Sequence, residues 1–331
     1  EQLCETLLEL EQPFPVRGSN ISMNVRAGVL DLIQHGGSVD VILRRVEIAL
    51  AKACLENKPL TTYLAGQDEQ YQRELTIISE LATGLTQGQF HLVFQPKVNI
   101  QTNTCTSAEA LIRWQHPELG FIPPDEFIQL AEHSGNIEQV SEWVLAQTVQ
   151  QLARWHEQGI TLKVAVNLSA HDLLNLQLPT VIQALLQQYQ VPASALALEV
   201  TEGAVMKDPQ TVIAVLQVFK NIGITVAIDD FGTGQSSLAY LKTLPVSEVK
   251  IDRCFIKDML DNQNDTMIVE TTIALSHGMG YSVTAEGVED SEGIEYLRTR
   301  GCDVIQGYVY SKPLKADEFS IWLTSFNEAK A

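Results

Sequence analysis

From residue 92 onward, short apolar runs rich in β-branched residues alternate with longer amphipathic stretches, and this alternation constrains the fold more than any other property of the chain. Runs over 92–98, 106–114, 162–169, 195–201, 224–230, 248–252, 281–286 and 303–307 read as strands. Helical spacing recurs over 137–158, 171–189, 205–222, 267–279 and 289–300. Strands separated by helices pair in parallel, because each crossover returns the chain to the same end of the sheet. Eight strands over roughly 240 residues suit an α/β fold closed as a (β/α)8 barrel. The first two strands break the rule. Only a short polar segment around Gln101 and Asn103 joins them, and a parallel crossover needs about a dozen residues. Strand one is therefore expected to run antiparallel to strand two.

The N-terminal part follows another pattern, helix, strand, turn and helix up to about Tyr63, with loose alternation over 21–30 and helical spacing over 41–55. It is too short to bury a full core of its own. Three regions are expected: a small α+β fragment over 1–66, a connecting helix and linker over 67–88, and the barrel over 89–331. The connector helix is read over 74–86, with Gly88 ending it.

Composition narrows the function. Forty-one acidic against 22 basic residues leave a net charge of −19, which disfavours a surface built to hold the phosphates of a nucleic-acid polymer. A small anionic ligand stays open, because bound cations invert the local field. Cys4, Cys54, Cys105, Cys254 and Cys302 are odd in number and scattered. They form neither a disulfide framework nor a zinc clip, which points to a reducing, cytoplasmic compartment. No apolar run is long enough to span a membrane, so no membrane contact is expected from this segment. The chain begins at Glu1 rather than methionine, which suits an excised fragment and leaves open that it is the cytoplasmic part of a larger, membrane-anchored regulator.

In a TIM-like barrel the active site lies at the C-terminal ends of the strands. Strand two carries Glu109, strand three ends in Asn167, and strand four has Glu199. Strand five ends in Asp229 and Asp230, strand six in Lys250 and Asp252, strand seven in Glu286, and strand eight in Gln306. One acid at a strand end is ordinarily a helix cap or a solvated group, and Asp252 is read as the cap of the following helix. So many carboxylates at one mouth repel one another unless cations neutralise them. Oxygen donors without His or Cys favour Mg²⁺ or Mn²⁺ over zinc. Two such ions can activate water and stabilise both oxygens in phosphodiester hydrolysis. Lys250 can orient the water or offset phosphate charge.

These residues stand in motifs that resemble the EAL family of cyclic di-GMP phosphodiesterases. They are Glu109-Ala110-Leu111-Ile112-Arg113, Asn167-Leu168-Ser169, Glu199-Val200-Thr201-Glu202 and Asp229-Asp230-Phe231-Gly232-Thr233-Gly234. Lys250-Ile251-Asp252, Ala285-Glu286-Gly287-Val288-Glu289 and Gln306-Gly307-Tyr308 follow, seven motifs in order from about Phe90 to the C-terminus. The resemblance implies hydrolysis of cyclic di-GMP to linear pGpG in bacterial second-messenger signalling. It implies a pair of Mg²⁺ or Mn²⁺ ions on Glu109, Asn167, Glu199 and Asp229, with Asp230 bridging toward the second ion. Lys250, Glu286 and Gln306 then complete the site around the metals and the attacking water. Gln95, Leu111, Arg113 and Gln306 are implied to contact the nucleotide, Arg113 by offering a fork to a phosphate. Glu202 is implied to anchor the loop over 231–237 through Thr233, Ser236 or loop amides; a plain helix cap is the alternative. Homodimerisation through the barrel is also implied. Gln235 and Gly203 depart from the usual aromatic and serine, and these changes bear on rate and loop stability rather than on chemistry.

The N-terminal fragment resembles the closing half of a GGDEF diguanylate cyclase domain, through Asn24-Val25-Arg26-Ala27-Gly28-Val29 and Ala49-Leu50-Ala51-Lys52-Ala53. Arg26 and Cys54 depart from that family and its signature loop is absent, so a packing or connecting remnant without cyclase activity is expected. Two other readings of the barrel compete. A non-catalytic cyclic di-GMP receptor would be expected to have lost metal ligands, and none is lost here. A metal-dependent barrel enzyme forming enolates leaves the seven motifs unexplained.

Overall fold

The computed structural model describes residues 2–16, 19–233 and 241–328. Two compact units divide the chain, Glu1–Glu80 and Leu81–Ala331. In the first unit, strand Ala27–Val29 pairs in parallel with Leu60–Thr62, and helix Val39–Leu55 makes the crossover. Ile48, Ala49 and Tyr63 form its small core. Strand and helix approach so closely at Gly28 that a Cβ there would lie 2.4 Å from the Leu50 amide nitrogen and the Val46 carbonyl oxygen. A short antiparallel pair, Phe14–Val16 with Ser19–Ile21, precedes them. Helix Gln67–Thr86 then carries the chain across the unit boundary. It takes in the polar stretch that reads as linker in the sequence.

The second unit is the barrel. Its strands are β1 (Phe90–Asn99), β2 (Thr104–His116), β3 (Lys163–Leu168), β4 (Leu196–Thr201), β5 (Thr225–Phe231), β6 (Glu248–Ile251), β7 (Ser282–Glu286) and β8 (Val304–Gln306). Each of β2 to β7 pairs in parallel with the next. β1 closes the ring by pairing antiparallel with both β8 and β2. The eight-stranded barrel and its reversed first strand are as expected.

Alternation along the strands builds two layers. One parity carries Ile251, Val283, Ala285 and Ile305 outward against Ile256, Met259, Val269, Ile273 and Leu297. The other parity carries Ala, Thr and charged groups to the barrel axis. Against β1, Phe94 meets Trp155 and Phe319 at centroid distances of 4.8 and 6.2 Å. Removing a buried aliphatic from the outer layer costs about 2–5 kcal/mol, so this layer, not the polar interior, holds the barrel closed.

Two helices read as continuous are broken, each with a proline in the first turn that follows the break. Helix 171–189 is two helices, Ala170–Leu174 and Leu178–Gln188, with Pro179 in the first turn of the second. Helix 205–222 is Glu202–Lys207 followed by Pro209–Asn221. A proline has no N–H to continue a helix and drives its predecessor out of the α region; Asp208 accordingly has φ −149° and ψ 82° and caps the second helix through the Thr211 amide. Among the described residues no helix is long and apolar enough to cross a membrane.

Candidate active site

Every polar residue expected at the strand ends of the barrel lies at one mouth, and β5 shows how neighbouring acids come to share it. In a regular strand Asp229 and Asp230 would point to opposite faces. Here Ile228 pairs with Val249 and Phe231 with Ile251, so that both aspartates stand opposite Lys250 alone. Asp230 also adopts φ 53°, a left-handed conformation that costs about 1–3 kcal/mol for a residue with a Cβ. This bulge turns the second carboxylate back toward the first. One oxygen from each of Asp229, Asp230 and Glu286 then lies within 4.8 Å of the others.

Lys250, 1% exposed, is the hub. It pairs with Glu199, with Asp229 at 2.9 Å, with Glu286 at 2.6 Å and with Glu109 at 3.8 Å. Glu109 accepts from Asn167 Nδ2 at 2.6 Å and from Gln306 Nε2 at 2.5 Å. Gln306 Nε2 also donates to Gln95 Oε1 at 3.0 Å. Asn167 is exposed and Asp230 half-buried, whereas Glu109, Glu199 and Asp229 are buried.

The charges do not balance. Glu109, Glu199, Asp229, Asp230 and Glu286 are five carboxylates; among the described residues Lys250 pairs with all of them but Asp230, and Lys97 pairs with Glu199. The excess shows in the acidities. Burial, with the charge of Glu199 next, raises Glu109. Burial pushes Glu286 up to about 8 despite Lys250. Burial and then the charge of Asp229 push Asp230 up to about 6. Glu199 is the exception: burial would raise it, but Lys250 and Lys97 outweigh that and hold it at about 2. The four carboxylates around Lys250 keep its ammonium charged well above its usual range, against the opposing effect of burial. Surplus carboxylate oxygens without His or Cys make a donor set suited to hard divalent cations.

Two adjoining clefts open at this mouth. One, of about 1040 Å³, is lined by Leu111, Arg113, Asn167, Asp229, Asp230 and Arg253. The other, of about 620 Å³, is lined by Gln95, Glu109, Lys250, Glu286, Gln306 and Tyr308, and shares Asp229 and Arg253 with the first. Small-molecule sites commonly occupy about 300–1,000 Å³. Arg113 donates to its neighbour's carbonyl, Ile112 O, at 2.8 Å and keeps further donors on its guanidinium.

Glu202 is the first residue of its helix, and the capping is done by Thr201, whose hydroxyl accepts from the Ala204 amide at 3.2 Å. Glu202 Oε2 instead accepts from the Gly232 amide at 3.4 Å. Its buried Oε1 has no partner among the described residues. The Thr233 hydroxyl goes to Asp230 O at 2.8 Å, and Ser236 and Gln235 lie outside the described residues. Asp252 caps the helix Arg253–Ile256 through the Cys254 amide at 2.9 Å, as read from the sequence.

Three residues of this region escape the sequence reading. Arg253 lines both clefts. Lys97 pairs with Glu199 and lies 3.5 Å from Glu248, which in turn accepts from the Thr284 hydroxyl at 2.6 Å. A period of two gives the signal for both: Lys97 shares a strand face with Gln95, and Glu248 with Lys250.

Residues 78–313 match the EAL domain family. The chain is 36% identical over 327 residues to cyclic di-GMP phosphodiesterase PA2567 of Pseudomonas aeruginosa, covering 98% of this chain and 56% of that protein. It is 32% identical over 319 residues to the bifunctional diguanylate cyclase/cyclic di-GMP phosphodiesterase MucR of the same organism, covering 96% of this chain and 47% of MucR. The chain thus spans about half the length of these curated relatives. A solved structure of the PaMucR phosphodiesterase in complex with c-di-GMP is similar at a TM-score of 0.71 and 38% identity, over 74% of this chain and 99% of that one. The barrel, the converging carboxylates and the matched span together make this chain a member of the EAL domain family.

Proposed function

We propose that this chain hydrolyses cyclic di-GMP to linear pGpG with two divalent cations, Mg²⁺ or Mn²⁺, held at the barrel mouth. The observation that carries this reading is the surplus of carboxylates there, which raises Glu109, Asp230 and Glu286 while leaving all-oxygen donors within reach of one another. Glu109, Asn167, Glu199, Asp229, Asp230 and Glu286 are the residues that would hold the ions. When bound, the ions activate water and offset charge on the phosphate.

The chain's own groups supply position and charge. Lys250 is ion-paired to four carboxylates that favour its charged form, so it is read as a positive charge that offsets the phosphate. Glu286 and Gln306 border the same cleft and are placed to orient the attacking water. Gln95, Leu111, Arg113 and Gln306 line the clefts where the nucleotide would lie, Arg113 with a fork suited to a phosphate. The water oxygen bonds to phosphorus as the bond to the 3′ oxygen breaks, which leaves a 5′-phosphorylated linear dinucleotide. The names of the similar phosphodiesterases support the substrate. The N-terminal unit, with its parallel strand pair and single crossover helix, is read as a GGDEF-like packing remnant without cyclase chemistry.

Chromatography after incubation with cyclic di-GMP and Mn²⁺ tests the reading, and one new linear dinucleotide is expected. Folded protein that binds the cyclic ligand and leaves it intact in Mg²⁺ and in Mn²⁺ would be a receptor instead.

A further inference from the structure

Lys97 and Glu248 have no part in the reading above, yet both belong to the network around Glu199. The two oxygens of Glu199 are divided between two lysines: Oε1 accepts from Lys97 Nζ and Oε2 from Lys250 Nζ. The lysines are not equivalent. Lys250 is shared among Glu199, Asp229, Glu286 and Glu109 and lines a cleft at the mouth. Lys97 lines neither cleft and is 3% exposed. Its other neighbour is Glu248, 3.5 Å away, at the start of β6 and two residues before Lys250 on the same strand face. The Thr284 hydroxyl fixes Glu248 at 2.6 Å. An ammonium group out of water is strongly disfavoured unless it is paired, and here both its partners sit on other strands.

We infer that Lys97 is a positioning residue that anchors Oε1 of Glu199 from within the barrel, so that Oε2, on the side of Lys250, is the oxygen that exchanges its lysine for a divalent cation. Glu248 and Thr284 hold Lys97 in place for this task. The inference rests on the metal-dependent reading of the mouth. It differs in sign from the simpler role of a counter-charge. Deleting a positive charge beside a cation site removes repulsion and tightens cation binding. Deleting a group that orients a ligand loosens it, by about ten- to a hundredfold for partners that orient metal ligands.

Calorimetric titration of the full chain with Mn²⁺, beside melting curves of the metal-free protein, separates the two. Lys97→Met removes both charge and donor, and its Mn²⁺ dissociation constant is expected to rise about ten- to a hundredfold. Lys97→Gln removes the charge but keeps a donor, and a smaller loss is expected. If the melt shows Lys97→Met to be unfolded, Lys97→Gln decides alone, with weaker binding than wild type supporting the anchor. Either folded variant binding Mn²⁺ as tightly as wild type, or more tightly, overturns it. Wild-type protein that binds no Mn²⁺ overturns the proposed metal centre itself.

Discussion

In the N-terminal unit one carboxylate, Asp68, is met by Arg44 at 3.0 Å, Arg45 at 2.7 Å and the Tyr63 hydroxyl at 2.8 Å. At the barrel mouth four carboxylates share Lys250, Lys97 adds a second ammonium only to Glu199, and Asp230 stands beside them. The acidities follow the difference. Burial would raise Asp68, but bonds from Arg45, Tyr63 and Arg44 outweigh it and lower it. Burial and mutual repulsion raise Glu109, Asp230 and Glu286. A network satisfied by its own donors is a joint of the fold. A network left with excess negative charge is costly to the fold and useful to a cation.

The largest expected effect breaks this comparison directly. Glu109→Ala and Asp229→Ala should each lower turnover by more than about a hundredfold, since bound metal ions supply several kcal/mol of transition-state stabilisation and each 1.4 kcal/mol is tenfold. Their metal-free melting temperatures should hold or rise, because one repelling charge is gone. Asp68→Asn should do the reverse. It weakens hydrogen bonds to a charged group worth about 1.5–3 kcal/mol and leaves turnover near wild type. Stability loss in the mouth variants, or activity loss at Asp68, would erase the distinction.

The pH dependence sharpens it. Glu286 rises from its usual 4.5 to about 8, so between those values the folded protein holds more protons than the unfolded chain. Stability from this group is therefore fullest near pH 4.5 and declines as pH rises toward 8. Glu199, lowered to about 2, contributes stability that is present above 4.5 and lost as pH falls through 2. Metal-free protein should thus melt at a higher temperature at pH 6 than at pH 8.5. Saturating Mg²⁺ should shrink or reverse the gap, because ions bind the deprotonated carboxylates. A metal-free melting temperature that climbs across that interval contradicts a surplus of charge.

The smallest expected effect lies at Glu202. Its bond to the Gly232 amide is long, 3.4 Å, so Glu202→Ala should lower turnover about tenfold, the low end for a bond to a charged group. Because Thr201 supplies the helix cap, the melting temperature should barely move. Unchanged turnover at every Mg²⁺ concentration would leave Glu202 without a loop role.

Much of this was legible because period and spacing carry it. Eight strands, their order and the reversed β1 follow from apolar alternation and from the short link at Gln101 and Asn103. The acids at the strand ends could be named because a carboxylate inside a run of apolar and small residues stands out, as Glu109 and Glu199 do. The bulge at Asp229 and Asp230 could not be read, since it depends on pairing with β6 and on a left-handed Asp230. The pairing of Lys97 carries no local signal, because its partner Glu199 lies 102 residues away on a strand that β1 does not pair with. Pro179 and Pro209 mark the two helix breaks in the sequence, but apolar spacing continues across both prolines and masks them.

The claim that the excess carboxylates exist to hold catalytic cations is tested most directly by turnover of cyclic di-GMP in one metal titration of the whole chain. The protein is first stripped with chelator, then titrated with Mg²⁺, and in parallel with Ca²⁺. Ca²⁺ takes longer bonds, about 2.3–2.6 Å against about 2.0–2.1 Å for Mg²⁺, and so would leave water and phosphate misplaced for in-line attack. The account predicts no turnover after chelation, a saturable rise with Mg²⁺, and ligand binding with little or no hydrolysis in Ca²⁺. Turnover that persists in chelator, or that is as fast in Ca²⁺ as in Mg²⁺, would contradict it.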